Sequence, residues 1–246
     1  MPASGAVTRN TLRQQIADAL RDEVLAGRLA PGEEFTVKQI AEQYGVSATP
    51  VREALVDLCA QGLLDSDQHR GFRVHRFSVA DYRGMVEARM LVVDGIFRRA
   101  APRTPPVEPD LSYGVTLVSI RRRGEAAARA ARAGELEVLI GYDIRYWREL
   151  GRLVSANDHI ADFLHRLRVQ AWVFAVPHLR ADAEYTRRLW SGHVELVDAV
   201  TRGDADTAVT VVRDHNARAL EWARRLERLE RPEGPEGAAR RERRPR

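Results

Sequence analysis

Four side chains that normally seek water stand on apolar stripes beyond residue 78 of this 246-residue chain. In "YRGMVEARMLVVDGIFRR", Arg89 follows Tyr82 and Val86 and precedes Val93 and Ile96 at helical spacing. In "ELEVLIGYDIRYWREL", Asp143 shares a face with Leu136, Leu139, Trp147 and Leu150. His193 lies between Leu189 and Leu196, and His215 falls in line with Ala208, Val212, Ala219 and Trp222. Inward-facing carboxylate, guanidinium and imidazole groups each need a partner. If these stripes converge, they define a polar pocket inside a helical bundle. Asp143, His193 and His215 then offer oxygen and nitrogen ligands to a divalent metal such as zinc. Arg89 is placed to clamp the carboxylate of an anionic effector. The residues leave a plainer arrangement equally open, with Asp143 paired to Arg89 and each histidine a satisfied core residue. His159, His165 and His178 have no comparable setting and are taken as structural or surface residues.

A second chemistry sits near the N-terminus, in "VKQIAEQYGVSATPVREALVDLCAQG". Two short helical patterns meet at Gly45, with Ala41, Gly45 and Val51 suiting the small, left-handed and apolar places of a tight helix-turn-helix. Ile40, Leu55 and Leu58 complete its local core. The second helix opens with Ser47, Thr49 and Arg52. Hydroxyls and N–H groups at a helix start suit phosphate, and an arginine there can reach a guanine edge bidentately. In "LLDSDQHRGFRVHRF" two extended runs flank a polar turn, a hairpin whose tip carries His69, Arg70 and Gly71 as a basic wing.

The elements that must position these groups are mainly α. "TLRQQIADALRDEVLAG" is a helix with Leu12, Ile16, Ala19, Leu20 and Val24 on one side, and "LAPGEEF" is a turn. Beyond residue 78 the spacing predicts helices over 79–102, 111–133, 135–155, 158–177, 182–202 and 204–230. Domain boundaries follow at 8–77, 79–230 and a disordered basic tail over 231–246, whose "PEGPEGAARRERRPR" is rich in proline, glycine and arginine. The tail supplies much of the net charge of +4, so that charge says little about partners. Cys59 is the only cysteine, which excludes an internal disulfide. The first residues have no apolar run following their charges, and no stretch approaches the ~20 apolar residues of a membrane span. A cytoplasmic protein is expected.

Residues 11–77 resemble the winged helix-turn-helix of the GntR family of bacterial transcription regulators, through "AGRLAPGEEF", "IAEQYGVSATPVREAL" and "QGLLDSDQHRGFRV". The family usually reads "VSRTPVREAL", so Ala48 stands where an arginine is common and one expected contact is missing. The resemblance implies DNA contacts from Lys38, Ser47, Thr49, Pro50, Arg52, Arg70 and Gly71. Residues 79–230 resemble the all-helical ligand-sensing FCD domain of the FadR branch. Its metal-binding members show Asp-x-x-x-His, then a histidine on the fifth helix and one on the last. The matching positions are Asp143, Trp147, His193 and His215, with Asn157 at a frequent asparagine after the third helix. Indole cannot replace the imidazole ligand, which leaves Asp143, His193 and His215 as the implied metal set.

The effector set is therefore Arg89, Asp143, Trp147, Asn157, His193 and His215. The resemblance implies a homodimer on double-stranded operator DNA, with a small organic or sugar acid, or in some members an acyl-CoA, as effector. The expected function is a ligand-responsive transcription regulator that represses until effector binds. Two rivals remain: a metal-dependent enzyme with a DNA-binding appendage, and a DNA-binding regulator whose C-terminal domain no longer senses.

Overall fold

The computed structural model describes residues 5–67, 70–100 and 111–230. The expected basic tail, the break after the first helix of the bundle and His69 of the wing lie outside them.

Helix α1 (Gly5–Leu25) buries Ile16, Ala17, Leu20 and Val24 at helical spacing, while Leu12 stays partly exposed at the edge of the stripe. Thr36 starts α2 (Val37–Tyr44) with a capping box: its hydroxyl accepts from the Gln39 N–H, and the Gln39 side chain accepts from the Thr36 N–H. Gly45 ends that helix at φ +64, the left-handed conformation that the tight turn demands. Helix α3 (Ala48–Ala60) follows after two residues and buries Val51, Ala54, Leu55 and Leu58 against α1 and α2.

The wing is larger than the expected hairpin. Strands β2 (Leu64–Asp67) and β3 (Gly71–Val74) pair antiparallel, and β1 (Glu34–Phe35) adds to the far side of β3, giving the order β1-β3-β2. The "LAPGEEF" turn thus ends in a strand, because Phe35 is drawn into the core beside Phe72 and Val74. Gly71 makes this pairing possible at φ +96: a Cβ there would lie 2.6 Å from the Phe35 carbonyl oxygen.

The second segment is a bundle of α4 (Val79–Ala100), α5 (Leu111–Ala133), α6 (Leu136–Ser155), α7 (Asp158–Arg180), α8 (His193–Thr201) and α9 (Ala205–Glu230). Ser78 and Asp81 cap the start of α4 reciprocally, and Asp204 caps α9 through the Thr207 N–H at 3.0 Å. Helix α7 runs through Pro177 to Arg180, since the proline removes a hydrogen bond only in the last turn. The single helix expected over 182–202 is instead a short 3₁₀ turn (Tyr185–Arg188), an irregular stretch and then α8. Asp182 causes the break: its carboxylate accepts from the Glu184 N–H and from Arg188 Nε, competing with helical pairing.

One apolar cluster joins the two segments. Leu136, Ile140, Val169, Val173, Val176 and Leu179 from α6 and α7 pack with Leu20, Leu55, Leu58 and Leu63 of the winged unit. Burial of such side chains contributes roughly 1.5–3 kcal/mol each, most of it within the segment that carries them. Arg180 extends the junction, donating to the Ala26 carbonyl at 2.6 Å and pairing with Glu137 at 2.8 Å.

Candidate functional site

Two surfaces carry the chemistry. The first lies on the winged unit, where α2 and α3 border a shallow groove lined by Lys38, Ala48 and Arg52. Ser47 occupies the N-cap position of α3, yet its hydroxyl makes no capping bond and faces outward with Thr49. Pro50 sits in the first turn, where a missing N–H costs nothing. Arg52 is exposed, and among the described residues no carboxylate pairs with it. Lys38 is exposed too, 3.8 Å from Glu42 on the same helix, a separation and exposure at which the attraction is weak. Arg70 is exposed at the wing, anchored through its N–H to Asp67 Oδ1 at 3.3 Å. A helix start with outward hydroxyls and exposed cations, beside a basic wing, can receive a phosphate backbone and base edges.

The second is a cavity of about 570 Å³ in the bundle, walled by α4, α6, α7, α9 and the irregular stretch before α8. Arg89, Asp143, Arg168 and His215 line its floor, and Tyr82, Trp172, Trp190 and Trp222 form aromatic walls. Arg187, Arg188, Arg218, Arg225 and Arg228 surround its mouth.

Asp143 is the hub. Its Oδ1 accepts from Trp147 Nε1 at 3.0 Å and from His193 Nε2 at 2.9 Å. Its Oδ2 accepts from Trp172 Nε1 at 2.7 Å and lies 3.6 Å from Arg168 Nη1. Burial pushes the carboxyl up, but the Arg168 charge and the His193 and Trp172 hydrogen bonds outweigh it and hold Asp143 well below the usual carboxylate range. Asp143 is ionised.

Arg168 reaches His215 Nε2 as well, at 3.1 Å, and its guanidinium lies over the Trp147 indole at 4.3 Å. A guanidinium only donates, so His215 Nε2 must be the acceptor and the imidazole neutral. Burial and then the Arg168 and Arg89 charges push its pKa well down, in agreement. His193 is fully buried; its Nδ1 has no partner among the described residues, and Trp190 packs on its ring at 4.4 Å. Arg89 is buried and donates through Nε to Asn216 at 2.8 Å. Burial and then the nearby Arg168 charge lower its pKa to about 9, which leaves it protonated at neutral pH.

The structure thus sets Arg89, Asp143 and His215 on the lining of one cavity, with Trp147 and His193 joined to it through their hydrogen bonds to Asp143. It changes their partners. The ion pair with Asp143 is made by Arg168 and not by Arg89. His215 turns to Arg168, and among the described residues no group of three His, Cys, Asp or Glu side chains is placed to hold a metal ion. Asn157 stands away from the cavity, exposed, as the N-cap of α7 with Oδ1 accepting from the Ile160 N–H. His165, expected to be structural or surface, is half-buried beside a small cleft under α4 and α6.

Sequence reasoning missed Arg168, Trp172 and Asn216. Arg168 follows the same signal as Arg89, a charge spaced among Leu164, Leu167 and Ala171, but it is one of many arginines in this chain. Asn216 and Trp190 carry no such signal, since one neighbours a histidine already on the stripe and the other lies in the stretch expected to be helical.

Residues 12–74 match the family described as "Bacterial regulatory proteins, gntR family", and residues 84–218 match the FCD domain. The chain is 28% identical over 217 residues to a probable D-xylose utilization operon transcriptional repressor of Paenarthrobacter nicotinovorans, spanning 88% of this chain and 91% of that one. It is 33% identical over 90 residues to the transcriptional repressor RspR of Escherichia coli, spanning 37% and 40%. Among solved structures it is similar to E. coli McbR/YncC, with a TM-score of 0.63 at 20% identity over 88% of this chain and 98% of that one. A GntR regulator of Rhodococcus sp. RHA1 has a TM-score of 0.61 at 21% identity, over 85% and 97%. At such identities these two structures speak for the fold alone.

Proposed function

The chain belongs to the GntR family of bacterial regulatory proteins and carries that family's FCD domain, and from this premise we propose a homodimeric repressor that a small anionic effector releases from its operator. It is a DNA-binding transcription regulator with a ligand-sensing domain. The effector class, the dimer and the residues at each site are our own reading.

One observation carries it. Two buried guanidiniums, Arg89 and Arg168, stand beside one buried carboxylate, Asp143, which Arg168 pairs, and among the described residues Arg89 has only the neutral Asn216 as hydrogen-bond partner. A buried charge without a counter-charge is costly. A carboxylate entering the cavity supplies the missing charge, and the two guanidiniums offer it forked donors. Trp172, Trp190 and Tyr82 supply faces on which the carbon skeleton of a sugar acid or aromatic acid packs. The named D-xylose repressor is a relative of this chain, which fits an effector from sugar metabolism.

The effector acts by population shift. It stabilises the dimer geometry in which the two α3 helices no longer match the spacing of the half-sites. Lys38, Ser47, Thr49, Pro50, Arg52, Arg70 and Gly71 form the DNA face. We read the cavity as binding and not turnover: Asp143, His193 Nε2 and His215 Nε2 are engaged with one another and with Arg168, and the unengaged nitrogen His193 Nδ1 is fully buried beneath Trp190. No described helix is long and apolar enough to cross a membrane, and we place the protein in the cytoplasm with its DNA.

The test is DNA release. Binding of the protein to DNA from upstream of its own gene is followed by fluorescence anisotropy across a panel of sugar acids and other small carboxylic acids. At least one acid is expected to release the parent but not Arg89→Met, which keeps most of the apolar stem while removing the charge. Release of both proteins at the same concentration overturns the clamp, and DNA binding indifferent to every acid overturns the sensor.

A further inference from the structure

The FCD resemblance leads to a metal held by Asp143, a second-position imidazole, His193 and His215, and the residues present do not fit one. A metal ligand must offer a free lone pair. Asp143 Oδ1 already accepts from Trp147 and His193, and Oδ2 accepts from Trp172 beside the Arg168 guanidinium. His193 Nε2 is the donor in its bond to Asp143, so the nitrogen that meets Asp143 carries a proton, and the unprotonated Nδ1 is fully buried beneath Trp190. His215 Nε2 presents its lone pair to Arg168 at 3.1 Å. Trp147 has no lone pair to give, and its ring instead packs under the guanidinium at 4.3 Å.

We propose that Arg168 with Trp147 takes the place of the metal, making this a sensor whose cation is a protein side chain. The guanidinium does what an ion would do there. It neutralises Asp143, engages the His215 lone pair and leaves positive charge facing the cavity. The indole completes the exchange in both directions: it removes one ligand, and it adds a donor to Asp143 and a face for the cation. The substitution is stable because each group is matched. Arg168 is only 5% exposed and Asp143 2%, and each is the other's ion-pair partner in a shell of indole and imidazole donors. Any entering ion would have to displace the Arg168 charge from the remaining side of Asp143 Oδ2. This rests on the cavity being the sensor site but not on the identity of its effector.

The test uses metal ions alone, on full-length protein. Parent, Trp147→His and Trp147→His/Arg168→Met are purified without chelator, dialysed, and assayed for zinc, manganese and nickel by elemental analysis. Their melting is then followed with added Zn²⁺ or EDTA. A metal bound at about a hundredfold over its Kd raises Tm by several degrees. The parent and Trp147→His are expected to hold less than a tenth of an equivalent and to melt alike with Zn²⁺ and EDTA, on the order of no shift within error. The double variant is expected to gain about one equivalent and a chelator-sensitive Tm. A metal retained by the parent or by Trp147→His overturns the proposal. So does a folded double variant that binds none, because Arg168 and Trp147 would then not be what displaces the ion. Should the double variant not fold, the first two proteins decide: metal on either overturns the proposal, and metal on neither upholds it. Failure here leaves acid-induced DNA release intact, so the two readings fall separately.

Discussion

The side-chain amide of Gln170 donates a 2.7 Å hydrogen bond to the carbonyl of Gln61, the C-cap of α3. Two residues earlier on α7, Arg168 forms the floor of the sensor cavity. On a helix such neighbours point to opposite sides, so one turn of α7 touches the effector site with one face and the end of the recognition helix with the other. Gly62 admits this contact, because a Cβ there would lie 2.6 Å from the Gln170 amide nitrogen. Removing the amide with Gln170→Ala is expected to leave effector affinity unchanged while weakening effector-induced DNA release several-fold. Isothermal titration with effector and anisotropy with DNA, on the same preparation, separate the two. Equal losses in both would show a local defect and no coupling.

Much of this was legible in the sequence and some was not, for physical reasons. Gly45, Val51 and Leu55 announced the helix-turn-helix because that motif is local: its turn and its core residues all fall between Ile40 and Leu58. The inward charges of Arg89 and Asp143 were equally visible as breaks in apolar stripes. Which of them pair is a matter of tertiary distance, and periodicity says nothing of that. Arg168 lies on another helix and reached Asp143 first. The irregular stretch 182–192 was hidden because Asp182 and Glu184 start a turn with side-chain bonds that helical spacing does not reveal.

At the DNA face, Arg52 and Arg70 should fail differently. Arg52 is exposed on α3 beside the groove of Lys38 and Ala48, placed for a base edge. Arg52→Ala is expected to cost ~1–3 kcal/mol on operator DNA and to relax preference at one base pair. Arg70→Ala is expected to weaken operator and random DNA alike and to reduce the salt slope by about one phosphate contact. Binding isotherms at several salt concentrations distinguish them, and an unchanged operator affinity for Arg52→Ala would remove α3 as the reading helix.

Gly71 carries two roles that one substitution can separate. Its φ of +96 and the Phe35 carbonyl 2.6 Å from any Cβ make it a requirement of the β1–β3 pairing. Gly71→Ala is therefore expected to destabilise the winged unit by roughly 1–3 kcal/mol. DNA affinity should fall with it, and a lower temperature should recover part of that loss. A variant as stable as the parent but unable to bind DNA would mark Gly71 as a contact residue and not a structural one.

Stability should fall on mild acidification, and His165 should account for part of the fall. Burial, then the charges of Arg148 and Arg21, push its pKa down to about 4. His215 is pushed down as well, by burial and then by Arg168 and Arg89. In the unfolded chain both rings titrate near 6.5. The folded values are the lower ones, so between about pH 6.5 and 4 the unfolded state binds the extra protons. The stability these rings contribute is complete above 6.5 and is lost as pH falls toward the folded value. The slope is at most ~1.4 kcal/mol per pH unit for each proton. His165 can be tested without touching the sensor cavity. Its Nδ1 is buried with no hydrogen-bond partner among the described residues, so His165→Leu should leave stability at pH 7 nearly unchanged or slightly raised. Between pH 6.5 and 4.5 the variant should lose stability less steeply than the parent, by up to one proton's worth of slope. Urea unfolding at half-unit pH steps measures it, and parallel curves for the two proteins would mean that His165 is as free to protonate in the folded state as in the unfolded one.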